Sequence, residues 1–179
     1  LVIKRVIDPI IRMNELRKNQ VNLILETSPL DRPQVEKMAK VNISSFLPYA
    51  FYQVSINAKL FPKAGARRAM SMALDRAGLV PRITDRKDGV VMNYGPFPSD
   101  LFSSNIPEYV DTPVPNLLPQ DLDEARELAQ DSGLVGQTAI LLYPDSLGDF
   151  GTKMAQSIVA QLARIGLKVE AKRTGNQVF

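Results

Sequence analysis

Two side chains central to acid–base, nucleophilic and metal chemistry are missing from this chain, which has no His and no Cys. Without Cys there is no thiolate nucleophile, no disulfide and no zinc–cysteine site. Without His there is no imidazole base, and a serine triad built on one is excluded. Carboxylates are the remaining acid–base candidates, as in the paired Asp/Glu of hydrolases. Two pairs have suitable spacing, Asp85 with Asp88 and Asp145 with Asp149. Each stands in a turn-like stretch, where Asp is favoured for backbone reasons alone. Arg67, Arg68 and Arg76 could form the basic face of a nucleic-acid-binding module. The net charge is only +3, however, and acidic residues are interleaved with the basic ones, so a solvated surface fits better than a polyanion partner. Asn42-Ile43-Ser44 is a glycosylation triplet of a kind common by chance.

The elements that would position these residues follow from periodicity. Val2–Ile7 reads as a strand. Asp8 then caps a helix with Pro9 at its first position, Ile10, Ile11, Met13 and Leu16 as its apolar set, and Asn19 as a left-handed stop. Val21–Leu25 reads as a buried strand, Val35–Ala39 as a short helix and Tyr52–Ile56 as an alternating strand. After the turn at Pro62 and Gly65, a helix is expected over Ala66–Leu79, with Ala69, Ala73, Leu74 and Ala77 inward. Prolines at 96, 98, 107, 113, 115 and 119 mark a long loop at about 81–120, of the kind that is functional or wraps a surface. Asp121 with Glu124 opens another helix, on Leu122, Ala125, Leu128 and Ala129, which Gly133 stops. Thr138–Tyr143 is a strand. Thr152–Ile165 is an amphipathic helix on Met154, Ile158, Leu162 and Ile165, ended by Gly166, and Leu167–Ala171 is a strand. This second strand–helix–strand unit implies a right-handed crossover. The expected fold is α/β, a mixed sheet with flanking helices.

Several stretches carry a resemblance. Ala66 to Arg76 resembles the helix V-R-x-A-L-x-x-A-I-D-R of bacterial extracellular solute-binding proteins of family 5, the oligopeptide, dipeptide and nickel type. Arg67, Ala69, Ala73, Asp75 and Arg76 match, and Ala66 and Met70 depart mildly. Tyr52 to Pro62 is similar to the family's strand–Asn–loop–Pro stretch, with Asn57 at the Asn position. Asp121 to Leu128, running on to Ser132-Gly133-Leu134, resembles D-P-E-K-A-K-x-L-L…A-G-(Y/L), with Leu122 in place of Pro. Ala155 to Glu170 resembles A-x-x-I-Q-x-Q-L-x-x-I-G-I-x-V-E. The opening resembles D-x-x-x-R-x-x-x-L-x-x-G-x-V-D. Arg12, Leu16 and Val21 match there, while Asn19 replaces Gly and Asn22 replaces Asp.

The resemblance implies most of the C-terminal lobe of a two-lobed type II periplasmic-binding-protein fold, with residues 1–179 as one partial lobe. It implies a substrate-binding component of an ABC transporter, not an enzyme, that closes about a hinge on a short peptide or other small solute and hands it to permease subunits. The implied location is periplasmic or extracytoplasmic, with no nucleic-acid partner, no stable membrane insertion, no metal and no cofactor. The chain opens on a strand already under way and lacks an initiator Met, so it is expected to start and stop inside a longer protein, with any targeting segment lying outside it. The family's acidic contact to a peptide's amino terminus is expected beyond Phe179. The candidate solute contacts are Asn57, near the implied cleft, and the loop aromatics Tyr94, Phe97 and Phe102. The plainer role for each aromatic is to anchor its own loop. Arg67, Asp75, Arg76, Gly133 and Gly166 are expected to be structural, the charged three through ion pairs that fix their helix. An exposed apolar surface is expected where further chain would pack.

Overall fold

The computed structural model describes residues 1–25, 27–28, 30–44, 52–84 and 118–175. The elements in order are α1 (Pro9–Arg17), α2 (Arg32–Val35), α3 (Ala64–Met72), α4 (Arg76–Thr84), α5 (Leu122–Asp131), β1 (Thr138–Pro144), a 3₁₀ turn (Asp145–Leu147), α6 (Gly148–Ala163) and β2 (Lys168–Thr174). β1 and β2 pair in parallel, Thr138 opposite Lys168 through Pro144 opposite Thr174. A parallel pair needs a crossover connection, and α6 supplies it. The α/β class and the flanking helices are as the sequence implies.

One core joins the middle of the chain to its C-terminal third. Ala66, Ala69, Met70, Met72 and Ala73 pack with Ala125 and Ala129, and with Ile158, Leu162, Ile165, Leu134 and Leu167. Ala69, Ala73, Ala125 and Ala129 are fully enclosed, and such small side chains let helix axes approach closely. A Cβ built on Gly65 of α3 would lie 3.7 Å from Ser132 Cβ, just past the end of α5.

Two helix ends close in the same way. Past α5, Leu134 N–H reaches Ala129 O (2.8 Å) and Gly133 N–H reaches Gln130 O (3.0 Å), with Gly133 at φ +72°. This is the Schellman pattern, and its apolar partner Leu134 is fully buried. Past α1, Gln20 N–H reaches Glu15 O and Asn19 N–H reaches Leu16 O, with Asn19 at φ +55°. Asn tolerates this conformation better than most residues with a Cβ.

Several sequence expectations are corrected. Residues 2–7, 21–25 and 52–56 form no ladder, and Val2, Ile3, Leu23 and Leu25 are exposed. A run with strand propensity becomes a strand only where another edge takes up its N–H and C=O groups. Among the described residues the sheet is therefore two parallel strands. In α1 only Met13 is buried, while Ile10 and Ile11 are exposed. The short helix expected over Val35–Ala39 lies earlier, at Arg32–Val35. The helix expected over Ala66–Leu79 is two, broken at Ala73–Asp75, and this turns Ala77 outward. The Pro-rich loop lies outside the described residues from 85 to 117.

Gly166, just past α6, has φ +80°, and a Cβ there would stand 2.9 Å from Val135 Cγ1; at Gly133 nothing lies within 4 Å. Gly133→Ala should therefore cost about 1–2 kcal/mol from the left-handed backbone alone, and Gly166→Ala more. Val135→Ala placed in the Gly166→Ala chain should return the excess. Urea denaturation checks this, and equal costs for the two glycine variants would contradict it.

Candidate functional site

A groove of about 960 Å³ opens beside the sheet. One wall is Gln53, Val54, Ser55, Asn57 and Leu60, and the other is Thr138–Leu142 of β1 with Lys168–Glu170 of β2. Val54, Leu60, Ile140 and Leu142 give it an exposed apolar lining.

The position of the groove's first wall traces back through a chain of polar contacts. Asn57 Oδ1 accepts from Lys59 N–H (3.0 Å) and Leu60 N–H (3.3 Å), and Phe61 N–H bonds to Asn57 O (2.9 Å). Asn57 thus lines the groove while its carbonyl oxygen is committed to the turn that follows. The next two carbonyls, of Phe61 and Pro62, both accept from Arg67 Nη1 (2.8 and 2.7 Å). Arg12 does the same at the first helix, its Nη1 reaching Val6 O and Ile7 O. In both cases an arginine in the helix clamps the chain that leads into it.

The break between α3 and α4 is built by the matched D-R pair. Asp75 Oδ1 accepts Gly78 N–H (2.9 Å), as an N-cap does for its third helical residue. Its other oxygen takes Arg82 Nη2 (2.6 Å), in an ion pair. Gly78 permits this, since a Cβ there would lie 2.3 Å from Asp75 Oδ2. Arg76 reaches back to Ser71 O (3.0 Å) and Ser71 Oγ (2.6 Å). Of the three motif charges, Arg67 engages two backbone carbonyls, where an ion pair was expected, Arg76 engages the Ser71 carbonyl and hydroxyl, and Asp75 makes both a cap and an ion pair.

This elbow is tied to the C-terminal third by Gln161. Its Oε1 accepts Asp75 N–H at 2.6 Å, and the residue is 4% exposed. A second tie joins Asp121 N–H to Met72 O (3.1 Å). Asp121 Oδ1 meanwhile caps Asp123 and Glu124 N–H, and Glu124 turns to Arg68 (3.6 Å) in place of closing the capping box. Sequence reasoning missed Gln161. The signal was present, because it lies between Ile158 and Leu162 on the inward face of an amphipathic helix, where an amide needs a partner.

A second, small cavity of about 30 Å³ is lined by Pro9, Arg12, Thr27, Ser28, Tyr52, Ser146, Leu147 and Phe150. The Tyr52 and Phe150 rings meet beside it, centroids 5.5 Å apart. The Asp31 carboxyl is held above its ordinary value, chiefly by burial. Arg17 pulls it down, Asp149 pushes it up and Arg12 pulls it down.

The enzyme and nucleic-acid alternatives gain nothing from this arrangement. Asp145 is paired with Arg173 (2.7 Å), and Asp149 stands in the first turn of α6, where the helix dipole favours a carboxylate. Asp85 and Asp88 lie outside the described residues, as do Tyr94, Phe97 and Phe102. Arg67, Arg68 and Arg76 each have protein partners and form no open basic face. No helix among the described residues is long and apolar enough to cross a membrane.

Comparison with known proteins gives a consistent result. The family model for bacterial extracellular solute-binding proteins, family 5 middle, matches residues 1–179. A di/tripeptide-binding protein of Pseudomonas aeruginosa is 23% identical over 176 residues, which is 94% of this chain and 31% of that protein. The oligopeptide-binding protein AppA of Bacillus subtilis, solved with a nonapeptide, superposes with a TM-score of 0.78 at 21% identity, over 97% of this chain and 36% of that one. NikA of Staphylococcus aureus, solved with Ni(L-His)2, gives a TM-score of 0.71 at 18% identity, over 96% of this chain and 36% of that one. The chain thus spans about a third of the length of the relatives it matches.

Two measurements test the geometry. Gln161→Leu should cost about 1–3 kcal/mol in urea denaturation, because it leaves the Asp75 N–H without its acceptor. Gln161→Met, of similar size and likewise without the amide oxygen, should cost about as much; stability unchanged in both variants would show that the bond itself is immaterial. Asp31 is an acid with a raised folded-state pKa, so its ionisation opposes folding. Stability should fall as pH rises from the ordinary 3.8 through the raised value. Asp31→Asn should melt higher than the parent at neutral pH, with the gap closing as pH drops towards 3.8. A gap independent of pH would refute the assignment.

Proposed function

The chain belongs to the bacterial extracellular solute-binding proteins, family 5, and from that premise we propose that it forms one lobe of the substrate-binding component of an ABC importer. The observation that carries this reading is the family match across all of residues 1–179. The solute is a short peptide or a related small molecule, held between this lobe and a second one and delivered to permease subunits outside the cytoplasm. Peptide is preferred because the di/tripeptide-binding protein of P. aeruginosa and AppA of B. subtilis carry that description. NikA keeps a nickel chelate as the next candidate.

Asn57, on the wall of the groove, and Tyr94, Phe97 and Phe102 are this chain's proposed contributions to the solute site. The tight turn that Asn57 closes supports its part, because it fixes the side chain before any solute arrives, and preorganisation lowers the ordering cost of binding. No catalytic step is assigned.

A thermal-shift and calorimetric screen of the complete polypeptide against peptides, nickel chelates and sugars tests the proposal. One class should raise the melting temperature by mass action. The 179-residue chain alone should bind that same solute weakly or undetectably, because a clamp draws affinity from both sides of its cleft. Micromolar binding by the isolated chain would refute the single-lobe reading. Turnover of a test substrate without any thermal shift would refute the transport reading.

A further inference from the structure

The first two helices stand apart from the core that unites the rest of the described residues. α1 and α2 each bury one residue, Met13 and Val35, and neither belongs to the cluster that joins α3, α5 and α6. They meet the C-terminal third at the small cavity of about 30 Å³. α1 brings Pro9 and Arg12 to it, and the stretch before α2 brings Thr27 and Ser28. Ser146 and Leu147 of the 3₁₀ turn, Phe150 of α6 and Tyr52 complete the lining. The starts of α1 and α6 touch there, since a Cβ built on Gly148 would lie 3.1 Å from Pro9 Cγ.

Arg12 is only partly satisfied at this seam. Its Nη1 donates to Val6 O (2.9 Å) and Ile7 O (3.0 Å). Its Nε is buried and has no hydrogen-bond partner, the only such side-chain atom among the described residues. An enclosed donor of this kind is costly unless something accepts from it, and a buried water is a common answer. Thr27, Ser28 and Ser146 line the same cavity and carry hydroxyls, which both donate and accept. Ser28 Oγ accepts Leu30 N–H at 3.3 Å, which leaves its own proton to give. A buried water needs a cavity of at least about 10–15 Å³ and two to four polar partners. Both conditions are met here.

The charges around the seam favour a neutral occupant. Asp31 lies within electrostatic reach of Arg17, Asp149 and Arg12. The two guanidinium groups are thus matched by two carboxylates, and Asp149 also offsets the positive end of α6. An anion would find no excess of positive charge. We propose that the cavity is a water site: a buried water accepts from Arg12 Nε, bonds to hydroxyls of the lining, and joins the start of α1 to the start of α6. A bridging water holds two polar surfaces together nearly as well as a direct hydrogen bond. It would attach the N-terminal helices without drawing on the apolar core. The inference does not depend on which solute is bound.

A high-resolution crystal structure of the complete polypeptide, grown with bromide as the only halide, tests it. A water should stand within hydrogen-bond distance of Arg12 Nε and of at least one hydroxyl among Thr27, Ser28 and Ser146, with no anomalous signal from bromide. An anomalous peak in the cavity would assign it to an anion. An Nε that bonds directly to a protein acceptor, opens to bulk solvent or faces an empty cavity would mean that no water site exists. Each of these results would overturn the proposal.

Discussion

The elbow between α3 and α4 is held to the C-terminal third by a hydrogen bond between distant parts of the chain, from the amide of Asp75 to the side-chain oxygen of Gln161. A helix cannot bend by the angle needed between α3 and α4 without freeing backbone groups, and a freed N–H within the protein must find an acceptor. Gln161 supplies it from α6, the crossover that also holds β1 and β2 in register. Once the elbow is fixed, α3 can lie against α5 through alanines, and Met72 can offer its carbonyl to Asp121. The groove wall at residues 53–60 is then placed through Arg67 and the turn that Asn57 closes.

A small set of local solutions recurs around this point. Asp8, Asp75 and Asp121 each accept the first free amides of a helix. Arg12 and Arg67 each hold the two carbonyls that precede one. Asn19 and Gly133 each end a helix with a left-handed residue. These are the groups that a helix leaves unpaired at its ends. The family-like motifs at Asp8–Arg12, Arg67–Arg76 and Asp121–Gly133 coincide with these ends. The matched residues are therefore explained first by how helices begin and stop.

The sequence made some of this plain and hid the rest, for physical reasons. α5, β1, α6 and β2 were legible because each has strong periodicity and a marked start or stop, such as Asp121, Gly133 and Gly166. The Ala66–Leu79 stretch read as one helix because its alanines keep helical spacing across the break, and propensity does not register a cap at Asp75. The apolar runs at Val2–Ile7, Val21–Leu25 and Tyr52–Ile56 read as strands because periodicity reports the chain's preference but cannot say whether a partner edge is present. Asn57 was legible as a position of interest, though its carbonyl oxygen proves to be committed to the turn. Gln161 went unread because a lone polar residue on an apolar face shows that a partner exists without naming it.

The measurement closest to the centre of this account is the exchange rate of the Asp75 amide, compared with amides in the buried middle of α6. If the bond to Gln161 ties the elbow into the shared core, that amide exchanges only when the core opens, as slowly as those near Ile158 and Leu162 and with the same dependence on denaturant. Exchange at the rate of an exposed loop, insensitive to low denaturant while α6 stays protected, would show that the elbow opens by itself and that the rest of the fold does not depend on it.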